Sequence, residues 1–357
     1  MTTQRTTEVA IVGGGIVGLA LALDLAERGA QVTVWERDRC GGGATQAAAG
    51  MLAPEAEGLT GDLRTLGLRA RDGYGRWIAQ LMNRSDLPCG YWCCGIVAPK
   101  FPEEMPAPLS RAELLQKQPG LGEGIVGGHW YPEDGQVNNR LLLQSLRTAA
   151  LRAGVKIQEG TVVYGWHRQG DRLTHAETNW GKLAAAVFVV ANGAYGRSLV
   201  PVPVEPVKGQ MVAVLDPQRR LQRVLFSSRA YVVPRQDGTI VIGATVEGVG
   251  FLPGNTAGGL QQLLNGAIAL WPVLAELPIV ETWWGFRPYA PQENPLLGRV
   301  PNLENLWLNL GHYRNGILLA PLCAQLLGQA IATGETDPLL GAFAPPPLEH
   351  ITGTVYS

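Results

Sequence analysis

Glu8-Val-Ala-Ile-Val-Gly13-Gly-Gly15-Ile-Val-Gly18-Leu19, followed through to Glu36, carries the fold class of this 357-residue chain. Val9 to Val12 is continuously apolar rather than alternating, the pattern of a parallel strand covered on both faces. It runs straight into Gly13-x-Gly15-x-x-Gly18 and then into a helix, Leu19 to Arg28, which Gly29 stops at the position after its C-cap. A second strand, Gln31 to Trp35, ends in Glu36. Each part has a physical task in binding a dinucleotide. Gly13 permits the tight turn, Gly15 lets the backbone approach a pyrophosphate, and Gly18 lets helix and strand pack closely. Glu36, about 20 residues on, can accept hydrogen bonds from ribose hydroxyls. The sequence also holds a control: Gly122-Glu-Gly124-Ile-Val-Gly127 has the same spacing but follows Pro119-Gly120 and leads into His129-Trp130-Tyr131-Pro132. With neither strand before nor helix after, it reads as a loop.

Composition agrees with a large core threaded by tight turns. There are 46 glycines, charged residues are 17% and apolar residues 46%. A disordered chain would be charge-rich and apolar-poor; heptads for a coiled coil and a glycine in every third place for collagen are both missing. Lys+Arg and Asp+Glu nearly balance at 29 and 30, with no basic run, which argues against nucleic acid as a partner. Cys40, Cys89, Cys93, Cys94 and Cys323 form no C-x-x-C pair and the five histidines are scattered, so no metal site is expected. Cys93-Cys94 reads as a buried thiol pair. The apolar run Val9 to Leu23 is shorter than the roughly 20 residues of a membrane span and carries four glycines. The expectation is a soluble, cytoplasmic protein with no membrane partner.

Further along lie three features that suit a long flavin dinucleotide. Gly41-Gly-Gly-Ala44-Thr45-Gln-Ala-Ala48-Ala49-Gly50-Met51 consists mostly of tiny residues that would let backbone lie along a cofactor. Leu183 to Ala191 reads as a buried strand ending in Asn192-Gly193-Ala194, another close approach. At the C-terminal side, a strand at 305–310 meets Gly311-His312-Tyr313-Arg314-Asn315-Gly316 and then a helix whose apolar positions keep helical spacing. Pro321 fits only near that helix's first turn. The start of this helix is a second anion-favouring end, suited to the N1/C2=O edge of reduced flavin.

Between these segments, 207–215, 229–235 and 239–245 read as antiparallel strands, with Asp237-Gly238 as a hairpin turn, and Glu281 to Arg287 as one more. Alternation puts Trp283, Gly285 and Arg287 on one face of the last. An arginine at a strand end amid aromatics and glycine needs a charge partner. By residue type alone that partner is a carboxylate of the protein, Tyr231 is a core aromatic, and Arg314 is a helix-end cap.

The glycine turn, Ala47-Ala-Ala-Gly-Met51, Tyr231-Val-Val-Pro-Arg235, Trp284-Gly-Phe-Arg-Pro288 and Gly311-His-Tyr-Arg-Asn-Gly-Ile-Leu-Leu-Ala-Pro321 together resemble the D-amino-acid oxidase superfamily of FAD-dependent oxidoreductases. Within it they are most similar to the glycine oxidases of thiamine biosynthesis, nearly end to end and in order. The resemblance implies an α/β fold: a Rossmann-like parallel-sheet domain for FAD, at 1–82, 138–203 and 286–349, and a substrate domain on an antiparallel β-sheet, at 83–137 and 204–285, with a tail at 350–357. It implies FAD held non-covalently by Gly13, Gly15, Ile16, Val17 and Gly18, then Glu36 and Arg37, then Ala44, Thr45, Ala48, Ala49, Gly50 and Met51. Val163, Gly193 and the run His312, Tyr313, Arg314, Asn315, Gly316, Ile317 and Leu318 complete the set. Arg287 and Tyr231 would grip a small amino acid's carboxylate, with Arg314 beside substrate and flavin. No side chain acts as catalytic base; the flavin carries hydride transfer. Glycine would become iminoglycine, then glyoxylate and ammonia, with dioxygen reduced to hydrogen peroxide. The resemblance also implies a homo-oligomer, a tetramer, and a link to a thiazole synthase. Alternatives are a sarcosine or small D-amino-acid oxidase, a dehydrogenase with another electron acceptor, and an FAD-stabilised partner-binding protein. Val246 and Arg229 stand where relatives carry other side chains and bear on that choice.

Overall fold

The computed structural model describes residues 6–104 and 106–348; the expected tail at 350–357 lies outside them. The opening apolar run is a central strand, Thr6–Val12, with Val32–Glu36 on one side and Gly181–Val190 on the other, all parallel. Val9, Ala10, Ile11 and Val12 are buried, which is why the run cannot alternate. Lys156–Glu159 and Leu306–Leu310 extend the parallel part outward on the two sides. The strands Val163–Gln169, Arg172–Thr178 and Leu296–Arg299 join antiparallel and complete eight.

The first helix, Ile16–Glu27, packs against the last, Gly316–Thr333, and the last packs in turn on Gly61–Ser85. Gly316–Thr333 is long and apolar enough to cross a membrane by length and composition, yet 61% of it is buried inside this protein. Its proline sits deeper than expected. Pro321 is the sixth residue, in the second turn, where it removes the hydrogen bond that the carbonyl of Ile317 would accept. The hydroxyl of buried Tyr74 takes over, donating to Ile317 O at 3.1 Å.

The second sheet also has eight strands, in the order Ile279–Tyr289, Glu205–Leu215, Thr239–Gly243, Tyr231–Pro234, Val224–Phe226, Ile96–Lys100, Gly127–Tyr131 and Leu109–Ser110. All its pairings are antiparallel except that of Val224–Phe226 with Ile96–Lys100. Asp237 and Gly238 do make the hairpin turn, Gly238 with φ +93°. The strand expected over 281–287 is an eleven-residue strand that runs unbroken through residues 285 and 286. The helix Ala257–Leu270 covers one face of this sheet, with Val212, Val214, Ile240, Ile242 and Trp271 in the core between them. Three short strands, Met51–Leu52, Gly135–Val137 and Tyr91–Trp92, form a third sheet. The cysteine pair divides: Cys94 is buried and Cys93 exposed. Consecutive residues in extended chain point to opposite sides, so a buried pair is corrected to one buried thiol and one exposed.

Tyr74→Phe isolates the Ile317 carbonyl. Loss of a partner for a buried acceptor costs about 1–3 kcal/mol, expected as a lower urea midpoint with unchanged slope. A midpoint equal to wild type would contradict the role given to Tyr74.

Candidate functional site

A cavity of about 860 Å³ opens along the ends of the first two strands and runs to the start of the final helix. At its head, Gly13 has φ +114°, and a Cβ there would stand 2.4 Å from Ala191 O. No other residue type fits that turn. Gly18 packs on Gly13 O, as its spacing requires. The Glu36 carboxylate accepts from the Gly14 amide at 2.7 Å and from the Asp38 amide at 2.9 Å. A carboxylate offers about four lone-pair positions, so two stay open toward the cavity that Glu36 lines. Thr45 Oγ1 accepts from the Ile16 amide at 3.0 Å across 29 residues. Of the other lining residues of the turn, Gly13 donates its amide to Trp35 O at 2.8 Å, which leaves Gly15 and Val17.

The small-residue segment is fixed through its carbonyls. Asn139 Nδ2 donates to Thr45 O at 2.8 Å, Trp283 Nε1 to Ala47 O at 3.1 Å, and Arg235 Nη2 to Ala49 O at 2.7 Å. Arg235 is buried and also holds Val137 O at 2.8 Å and the side chain of Gln136; desolvation pushes its guanidinium down to about 10. Arg235 closes the Tyr231-Val-Val-Pro-Arg235 motif of the sequence, but nothing there indicated that it ties down the small-residue segment.

Of the residues expected to hold a dinucleotide, Gly13, Gly15, Ile16, Val17, Glu36, Arg37, Ala44, Thr45, Ala48, Val163 and Gly193 line this cavity. So do His312, Tyr313, Arg314, Gly316 and Ile317. Gly18, Asn315 and Leu318 lie behind its wall; Ala49, Gly50 and Met51 line a second cavity. Among the described residues, Thr161 Oγ1, Asn192 Oδ1, Asn309 Oδ1 and His312 Nε2 are buried with no hydrogen-bond partner, on four residues lining the long cavity. An unmet buried polar atom costs about 1–3 kcal/mol. Four around one cavity fit a ligand with its own donors and acceptors. Asn309, a lone amide inside Leu306–Leu310, is the signal by which the sequence could have shown this. Burial pushes His312 down to about 4, so its imidazole is neutral.

The second cavity, about 450 Å³, shares Ala44, Ala48, Gly285, Phe286, Tyr313, Arg314 and Ile317 with the first. Arg287 and Tyr231 both line it. Arg287 makes no ion pair among the described residues; its Nη1 donates to Thr245 O at 3.1 Å and weakly to Lys208 O at 3.4 Å. The carboxylate of the protein expected from residue type alone is not there. The guanidinium lies where a Cβ on Gly209 would come within 2.5 Å, and the Tyr231 ring lies where a Cβ on Gly243 would come within 2.4 Å. Two glycines, Gly209 inside its strand and Gly243 at the end of its own, thus give up side chains to seat these two residues, a recognised meaning of glycine in a strand. Burial pushes the Tyr231 phenol up, and its hydroxyl donates to Met211 Sδ at 3.4 Å, a weak acceptor. Arg314 lies over the Tyr313 ring and donates to its hydroxyl at 3.3 Å. Val246 and Arg229 also line the cavity, Arg229 already paired with Glu103 at 2.7 Å. Glu57, which the sequence gave no reason to select, lines it too.

A glycine turn opening on a cavity of dinucleotide size, joined to a second chamber walled by an arginine without an ion pair, is the architecture of a dinucleotide-dependent enzyme. The chain belongs to the FAD dependent oxidoreductase family (DAO), whose model matches residues 8–330. The Bifunctional protein ThiO/ThiG of Nostoc sp. is 46% identical over 357 residues, covering 95% of this chain and 54% of that protein. The chain thus spans about half the length of those curated relatives. Glycine oxidase of Pseudomonas aeruginosa is 33% identical over 346 residues, covering 92% of this chain and 95% of that one. The crystal structure of glycine oxidase from Geobacillus kaustophilus matches with TM-score 0.90 at 32% identity, covering 98% of this chain and all of that chain.

FAD is the family's cofactor, and the long cavity fits it: a turn closed to a Cβ at Gly13 and Gly18, unfilled acceptor positions on Glu36, and four unmet polar atoms. Gly13→Ala is expected to lower FAD affinity at least about tenfold, the equivalent of about 1.4 kcal/mol, measured by fluorescence titration of apoprotein. Unchanged affinity would contradict this placement.

Proposed function

We propose that this chain oxidises glycine to iminoglycine, which water converts to glyoxylate and ammonia while dioxygen becomes hydrogen peroxide. The observation that carries this reading is Arg287: a cation in the wall of the second cavity, aimed by carbonyls and lacking any carboxylate of the protein. A substrate carboxylate supplies the missing charge, and the guanidinium fork can take both its oxygens. Tyr231, kept protonated by burial, exchanges the sulfur of Met211 for a carboxylate oxygen. When bound, FAD supplies the hydride acceptor and the path by which electrons reach dioxygen. The protein's part is orientation: two anchors on the carboxylate fix where Cα points, and the junction shared by both cavities lies beside it.

FAD is held without a covalent bond in this reading. Cys323, the one cysteine of the final helix, is fully buried in the helix core, lines neither cavity, and has its thiol pushed up to about 12. At about 450 Å³ the chamber has room beyond glycine, so sarcosine and small D-amino acids are expected as further substrates, with Val246 and Arg229 shaping the preference. The name of the bifunctional relatives, ThiO/ThiG, supports a thiazole synthase as consumer of the product; a cytoplasmic tetramer of this chain completes the proposal.

Arg287→Ala removes one partner of a charge pair and is expected to lower kcat/KM for glycine by the equivalent of about 2–5 kcal/mol, measured as dioxygen uptake. A variant within about threefold of wild type would contradict the assignment. Wild-type enzyme that reduces an artificial acceptor but consumes no dioxygen would instead be a dehydrogenase.

A further inference from the structure

The one carboxylate among the described residues lining the second cavity belongs to Glu57. Its backbone is pinned: the Glu57 amide donates to Ala53 O at 2.9 Å, and the amides of Glu55 and Ala56 both donate to Asp134 Oδ2, at 3.2 and 2.9 Å. Arg71 bonds Glu55 at 2.6 Å and Asp134 at 3.1 Å, so both neighbouring carboxylates are already neutralised. Glu57 is different. Its carboxyl makes no hydrogen bond and no ion pair among the described residues, although it shares the cavity with Arg287, Arg314 and Tyr231.

We propose that Glu57 receives the ammonium end of the substrate whose carboxylate lies on Arg287, and takes one proton from it. This role rests on the amino-acid reading given above. An amino acid enters mainly as a zwitterion, whereas loss of hydride from Cα needs a free nitrogen lone pair to build the C=N bond. In the step, one N–H bond breaks, its electron pair stays on nitrogen, and the proton bonds to a Glu57 carboxylate oxygen; water later receives it. The guanidinium groups of Arg287 and Arg314 in the same cavity disfavour the ammonium and help it release the proton.

The groups facing Glu57 are Arg314 and Arg287, which favour its charged form, Glu293 and Asp134, which oppose it, and Tyr231. Desolvation is the largest effect and lifts the carboxyl to about 7. Above that pH Glu57 is an anion that can accept; below it the carboxyl is filled and cannot. A general base with a value near the operating pH is well matched to its task.

The test uses holoenzyme and three proteins: wild type, Glu57→Gln and Glu57→Asp, each checked for wild-type flavin content. Two readouts are taken: kcat/KM for glycine against pH, and binding of glycolate, which has the carboxylate but no amine, followed by the change in flavin absorbance. Wild type is expected to lose kcat/KM as pH falls through about 7. Glu57→Gln is expected to lose about a hundredfold at alkaline pH, the lower scale for general base catalysis, and to lose that acidic limb. Glu57→Asp should keep the limb with intermediate activity, and glycolate should bind all three within about threefold, a spread under 1 kcal/mol. An unchanged acidic limb in Glu57→Gln, or a loss of glycolate binding as large as the loss of glycine turnover, would overturn the role. Wild-type enzyme that binds neither glycine nor glycolate would overturn the underlying reading, and this role with it.

Discussion

Arg287 poses the problem that the surrounding structure is arranged to solve. A half-buried guanidinium in a cavity wall, held by two backbone carbonyls and no carboxylate, has its charge offset only by dipoles and by whatever enters the cavity. The carbonyls come from Lys208 on one strand and Thr245 after another, so the sheet must hold both at once. The guanidinium must also lie flat across the neighbouring strand, which bars a side chain at Gly209. Tyr231, two strands further on, can reach the same cavity because Gly243 lets its ring pass. The antiparallel sheet is therefore what fixes the distance between Arg287 and Tyr231.

The parallel sheet meets this chamber through the Ala44–Met51 stretch. Its side chains are too small to hold themselves in place by packing, so its carbonyls are tied instead, by Asn139, Trp283 and Arg235. Those three come from different parts of the chain and from both large sheets' neighbourhoods, which couples the wall of the dinucleotide cavity to the wall of the substrate chamber. Gly285 shows how close the two are: a Cβ there would stand 2.3 Å from Ala47 Cβ. Small residues on both sides leave the shared junction open.

What the sequence made legible follows from how local each signal is. The turn at Gly13–Gly18 is readable because strand, turn, helix and acid fall within 29 residues, and each has its own pattern. The antiparallel strands and the Asp237-Gly238 turn are readable for the same reason. The depth of Pro321 in its helix was not, because what makes it tolerable is Tyr74, 243 residues distant from the Ile317 carbonyl it serves. Arg235 and Glu57 are single charged residues whose meaning comes from what the fold carries next to them. Gly209 and Gly243 could have been singled out, since a lone glycine in a strand implies something pressing against it, but the pattern does not say which side chain presses. Thr45 lay in the segment expected at the cofactor, yet its bond to the first helix's amide could not be read from spacing.

Anaerobic mixing of the FAD-loaded protein with glycine separates amino-acid chemistry at this site from any other use of the same fold. Electrons leaving glycine have nowhere else to go, so the yellow flavin absorbance should bleach on adding glycine and return when air is admitted. Sarcosine, D-alanine and D-proline run alongside would rank the chamber's preferences. A spectrum that none of these amino acids bleaches would contradict the reading of Arg287 as a substrate anchor.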